Sequence, residues 1–136
     1  MSTNNEPLSP FGQAPPTTVL IVEDDAATAD VFALALSQES HNYLPLIAST
    51  GSEALTLVKA VKPNLLIIDY HLSDMTGIAF YDTFHALEEF RDVPAVILSA
   101  SLALHLEEIQ ARKLHSLEKP FALDAFLLSV KQALAQ

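Results

Sequence analysis

The chain has 136 residues, half of them hydrophobic, no cysteine, and seventeen acids against seven lysines and arginines for a formal net charge of −10. That is one domain with room for a core, without a disulfide framework or cysteine chemistry, which fits a cytoplasmic protein, and with a charge that opposes binding to nucleic acid. No run of about 18 apolar residues offers a membrane span, and no basic segment leads into an apolar one as a secretory signal would.

Residues 1–16 hold Pro7, Pro10, Pro15 and Pro16 among small polar residues and read as a flexible leader, with the domain expected over 17–136 and no further domain after it. Val19-Leu20-Ile21-Val22 followed by Glu23-Asp24-Asp25 reads as a strand buried on both faces and ending in acids. Asp25 suits a helix N-cap, and Ala29, Phe32, Ala33 and Leu36 recur at helical spacing through Gln38. Tyr43–Ala48 is a weaker strand that Pro45 sends to an edge. After a turn at Thr50-Gly51, a helix is expected over Ser52–Val61, with Ala54, Leu55 and Val58 inward and Lys62-Pro63 stopping it. Leu65-Leu66-Ile67-Ile68-Asp69 repeats the buried-strand-then-acid form. A loop, a helix over about 77–90, a strand Pro94–Ser99, a helix over about 101–112, a short strand from Leu117 to Lys119-Pro120 and a helix over 121–135 complete the chain. This fivefold β-α alternation predicts an α/β fold, a doubly wound parallel sheet with right-handed crossovers.

In such a sheet the carboxyl ends of the strands share one edge, where ligands bind. That edge collects Glu23, Asp24, Asp69, Ser99 and Lys119. Three clustered carboxylates repel, so one must hold a proton or a cation must relieve them. Oxygen donors without thiols or paired histidines favour Mg²⁺ (or Mn²⁺), whose natural guest is a phosphoryl group. Asp69 can then act as a nucleophile on phosphorus, with Lys119 neutralising charge and the Ser99 hydroxyl donating a hydrogen bond. Taken singly, each residue has a plainer role: the acids as helix caps, Ser99 as a small strand-end residue, Lys119 as a surface charge. Their joint occurrence at four strand ends favours a shared site.

These residues resemble the two-component response-regulator receiver domain from about 18 to 135. Glu23-Asp24 resemble its acidic pair, Asp69 with the loop His71–Gly77 its phosphoacceptor loop, Ser99-Ala100 its hydroxyl-plus-small pair, and Lys119-Pro120-Phe121 its lysine-proline-phenylalanine, with a cis bond before the proline. The resemblance implies a flavodoxin-like five-stranded sheet in the order 2-1-3-4-5. It implies that Asp69 accepts phosphate from a sensor histidine kinase or histidine phosphotransfer protein. It assigns Mg²⁺ to Asp24, Asp69, Glu23 through water and the His71 backbone carbonyl, and phosphoryl contacts to Ser99 and Lys119. It also implies a phosphorylation-dependent response at the face of helix four, strand five and helix five, and weak autophosphatase activity. With no further domain expected, the chain reads as a stand-alone receiver that docks to another protein or relays phosphate. His71 and Ser101 fall where side chains tune the lifetime of the phosphoryl group.

Several residues depart from that pattern. Ser73 replaces the loop proline, and Ser116 replaces the aromatic three residues before the lysine that couples to the strand-four hydroxyl, with His115 adjacent as a substitute. The stretch from Ser99 to Lys119 is short and lacks the usual glycine-alanine turn, so helix four or its exit is expected to be atypical. The spare leucines Leu104, Leu123 and Leu128 read first as ordinary surface leucines, with a partner or homodimer patch as the alternative. A degenerate receiver that binds partners without phosphorylation is the competing reading. A haloacid-dehalogenase-like phosphohydrolase would need an acid two residues after the nucleophile, where this chain has His71, and Glu23-Asp24-Asp25 would repel the phosphate of a flavin.

Overall fold

The computed structural model describes residues 15–135, so the expected leader lies almost wholly outside the described residues. Five strands, β1 (Thr17–Val22), β2 (Tyr43–Ala48), β3 (Leu65–Asp69), β4 (Ala95–Ser99) and β5 (His115–Glu118), form one parallel sheet in the order β2-β1-β3-β4-β5. Between and after them run α1 (Ala26–Ser37), α2 (Gly51–Leu57), α3 (Gly77–His85), α4 (Leu106–Ala111) and α5 (Leu123–Leu134). This is the expected α/β fold with the expected strand order. No helix among the described residues is long and apolar enough to cross a membrane.

Strand alternation divides the apolar residues between two faces. Val19, Ile21, Leu65, Ile67, Val96 and Leu98 meet Ala29, Phe32 and Leu36 of α1 and Phe126 and Val130 of α5. Leu20, Val22, Leu66, Ile68 and Ile97 meet Ala54 of α2, Ile78 and Phe84 of α3 and Ile109 of α4. Each fully buried aliphatic side chain contributes about 1.5–3 kcal/mol, so the continuous apolar runs of β1, β3 and β4 fix the centre of the sheet. The edge strand β2 keeps Leu44 and Ile47 partly in solvent, in keeping with its Pro45.

The helices depart from their expected bounds where side chains intervene. Thr50 is an N-cap, its hydroxyl accepting from the Glu53 N–H, so α2 begins at Gly51 instead of following a turn there. The helix expected over 77–90 stops at His85; Leu87 turns extended and a separate 3-10 turn covers Glu88–Phe90. The helix expected over 101–112 is split: a 3-10 turn over Leu102–His105, then α4. The break at His105 (φ −120°, ψ 12°) shifts the helical phase; Leu106 is exposed while Ile109 is buried. The exit of α4 is atypical as expected: Lys113 takes φ 55°, the left-handed region glycine ordinarily fills. β5 then starts at His115, two residues earlier than its apolar pattern suggests.

Candidate functional site

Three strand ends bring acids and a lysine together. Glu23 continues the β1 ladder, its N–H donating to the Ala48 carbonyl (3.0 Å), and Lys119 continues β5, its N–H donating to the Ser99 carbonyl (2.9 Å). Asp69 closes β3. The Lys119 Nζ lies 3.3 Å from Asp69 Oδ1 and 3.4 Å from Glu23 Oε1. Carboxylate oxygens of Glu23, Asp24 and Asp69 all lie within 4.8 Å of one another. Glu23 and Asp69 are buried, whereas Asp24 is exposed.

This crowding has an electrostatic consequence. Burial, and after it the charge of Asp69 and a hydrogen bond with Asp24, push the Glu23 carboxyl up to about 7, although the Asp25 N–H and Lys119 pull the other way. Glu23 therefore takes up a proton far more readily than an ordinary glutamate. Burial works against the Lys119 ammonium, but the charges and hydrogen bonds of Asp69 and Glu23 outweigh it and set its pKa above the ordinary value. One lysine thus faces two of the three acids. The donor set fits a hard divalent cation: clustered carboxylate oxygens, one of them disfavoured as an anion by its surroundings, and no sulfur or imidazole nitrogen among them.

Local chemistry sets these positions. Asp25 is the N-cap of α1, accepting from both the backbone and the hydroxyl of Thr28, and its own N–H donates to Glu23 Oε2 (3.2 Å). Helix capping and site acid are thus separate tasks in Glu23-Asp24-Asp25. Ser99 is fully buried at the end of β4. Its Oγ accepts from the Ser101 N–H (2.9 Å), which leaves the hydroxyl hydrogen available to donate. The Lys119–Pro120 peptide bond is cis.

The loop after Asp69 lacks its proline at Ser73 but is tied in other ways. His71 and Thr76 form an isolated bridge, and the Leu72 N–H donates to the Met75 carbonyl (3.2 Å). Asp74 reaches back to the start of α2 and accepts from the N–H groups of Gly51 and Ser52, both at 2.9 Å. Those bonds hold its carboxyl below the usual carboxylate range. Gly77, which opens α3, donates to the Tyr70 carbonyl (2.6 Å), and a Cβ there would lie 2.5 Å from the Asp69 carbonyl oxygen. Only glycine permits that close approach.

Two contacts lay outside the sequence reading. Tyr70 is buried; its ring stacks on His105 (centroids 3.6 Å, 16° apart) and its hydroxyl donates to Glu108 Oε1 (2.9 Å). Burial first, then Glu108, raises the phenol above its ordinary value, so it remains a donor. Arg112 holds Asp82 of α3 through two 2.7 Å bonds. The only sequence signal for the Tyr70 contact was an aromatic next to a strand-end acid. His115, in contrast, does not take the place of an aromatic at Ser116. It shares the Leu117 side of β5, which packs toward α1 and α5, whereas Ser99 shares the opposite side with Ala95 and Ile97. His115 Nε2 is buried without a hydrogen-bond partner.

A sequence profile described as the response regulator receiver domain matches residues 19–131. The transcriptional regulatory protein KdpE of Mycobacterium tuberculosis is 29% identical over 119 residues, 86% of this chain and 50% of its own length. The chain spans between a quarter and a half of the length of the first curated relatives it matches. Among solved structures, a response regulator from Chloroflexus aurantiacus is 27% identical with a TM-score of 0.81, covering 90% of this chain and all of that one. The receiver domain of NtrX from Brucella abortus is 26% identical with a TM-score of 0.76, covering 87% of this chain and 98% of that one.

Proposed function

The chain belongs to the response regulator receiver-domain family, and from that premise we propose that Asp69 is its phosphoacceptor, receiving phosphate from a sensor histidine kinase or a histidine phosphotransfer protein. The observation that carries the reading is the Lys119 ammonium 3.3 Å from Asp69 at an edge where Glu23 and Asp24 crowd the same carboxylate. An Asp69 carboxylate oxygen donates an electron pair to phosphorus as the P–N bond to the donor imidazole breaks, its electrons going to the departing nitrogen. Lys119 offsets charge on the transferring group, and the Ser99 hydroxyl, fixed by the Ser101 N–H, donates to a phosphoryl oxygen. Asp24, Asp69, Glu23 through water and the His71 carbonyl would hold Mg²⁺, which supplies further charge neutralisation for the phosphoryl oxygens. The phosphorylated domain signals through the face of α4, β5 and α5 or passes the group on, and exposed Leu104, Leu123 and Leu128 offer contact surface for a downstream partner or a second copy.

The test is incubation with Mg²⁺ and acetyl phosphate or phosphoramidate, followed by intact mass, beside Asp69→Asn. A labile adduct of one phosphoryl group in the parent and not in the variant supports the reading. If neither the small donors nor a phosphorylated histidine phosphotransfer protein yields an adduct, the chain is a degenerate, phosphorylation-independent interaction module.

A further inference from the structure

The residue after Asp69 faces away from the acids. Successive strand residues point to opposite sides of the sheet, and Tyr70 packs with the apolar layer that includes Ile109 of α4. Its backbone is fixed at both ends: the N–H donates to the Leu98 carbonyl (2.8 Å) and the carbonyl accepts from Gly77 (2.6 Å). The ring therefore moves with the end of β3. What it touches is the break in the helical segment. His105, on which it stacks, is the residue between the 3-10 turn and α4, and no side-chain hydrogen bond caps α4 there. Glu108 Oε1 takes the Tyr70 hydroxyl at 2.9 Å and lies 3.6 Å from His105 Nδ1.

The rest of that segment is lightly held. Among residues 102–111 only Ile109 is buried, while Leu104 is 80% exposed. Its far end is pinned by Arg112, which bonds Asp82 and the Glu108 carbonyl. An element with one anchored end and few buried contacts opens at low cost. β5 offers no aromatic alternative, with Ser116 on the Ser99 side and His115 on the other.

We infer that the Tyr70–His105–Glu108 contact couples the chemistry at Asp69 to the position of residues 102–111, Tyr70 acting as a positioning residue. This rests on the reading of Asp69 as phosphoacceptor. A change at Asp69 shifts the adjoining Tyr70 ring against His105, and the 102–111 segment pivots about its anchored end at Arg112.

The experiment is amide hydrogen exchange of the full chain with and without Mg²⁺ and beryllium fluoride, a phosphoryl mimic, for the parent, Tyr70→Phe, His105→Ala and His105→Phe. In the parent the mimic changes exchange across 102–111. Tyr70→Phe and His105→Ala still bind the mimic, but the change at 102–111 shrinks, by roughly tenfold for Tyr70→Phe, which loses one hydrogen bond to a charged acceptor. His105→Phe keeps a ring to stack on and recovers part of the response. Variants that bind the mimic and respond as the parent does overturn the inference, as does a parent that binds it with no change at 102–111; both leave the phosphoacceptor reading standing. A parent that binds no mimic and accepts no phosphate overturns both.

Discussion

The two halves of the sheet's ligand-binding edge are built differently. At β1 and β3, the acids stand at the ends of strands buried on both faces, and the adjoining loop is cross-tied through Asp74, Thr76 and Gly77. At β4 and β5, Ser99 is equally buried, but the connection beyond it is a 3-10 turn, a six-residue helix and a left-handed lysine. The first half holds the acids rigidly. The connection beyond Ser99 is lightly buried and is joined to the rest through Tyr70 and Arg112. Rigid geometry serves phosphoryl transfer, which depends on positioning and charge, while a conformational signal needs an element that can move.

Substitutions can break each half separately. The largest effect is expected on the chemical side: Lys119→Met removes the cation beside Asp69 and lowers the rate of phosphoryl acceptance by about 10²–10³-fold, read by the time course of intact mass, with the fold retained. Gly77→Ala attacks the β1–β3 half through the backbone. Its Cβ meets the Asp69 carbonyl oxygen and Ile68 Cγ2, and the overpacking costs about 1–3 kcal/mol in urea unfolding.

On the other half, effects are smaller. Arg112→Ala removes an ion pair whose Asp82 side chain is half exposed, so solvent screening limits the loss to about 0.5–1 kcal/mol at neutral pH. The hydrogen bond from Arg112 holds the Asp82 carboxyl below its ordinary value of 3.8. A carboxyl depressed by folding stabilises the fold above that ordinary value, and the contribution disappears as pH falls through the lower folded value. The gap between parent and variant should therefore narrow as pH falls below 3.8, leaving what the Arg112 bond to the Glu108 carbonyl contributes; a gap that does not narrow contradicts the pairing. Lys113→Gly relieves the left-handed backbone and raises stability by up to about 1 kcal/mol, less the extra freedom of glycine in the unfolded chain, as measured by thermal unfolding.

The contrast between the halves also explains what was legible in the sequence. Apolar runs ending in Asp24 and Asp69 identify buried strands and their order of use, because a carboxylate closing such a run has few places to go. Residues 101–112 mislead for the opposite reason. Leu102-Ala103-Leu104-His105-Leu106 is helical in composition throughout, and the break at His105 coincides with its stack on a ring 35 residues away in the chain. The Asp74 tie to Gly51 and Ser52 is equally invisible, since nothing local marks a partner more than twenty residues off. The raised pKa of Glu23 follows first from burial that the run Glu23-Asp24-Asp25 does not disclose.

Under the proposed function Asp69, and no neighbouring acid, takes the phosphoryl group. Borohydride reduces an aspartyl phosphate to homoserine, which peptide mapping locates. After treatment with Mg²⁺ and acetyl phosphate, homoserine is expected at position 69 alone. Homoserine at position 24, 25 or 74, with aspartate intact at 69, would contradict it.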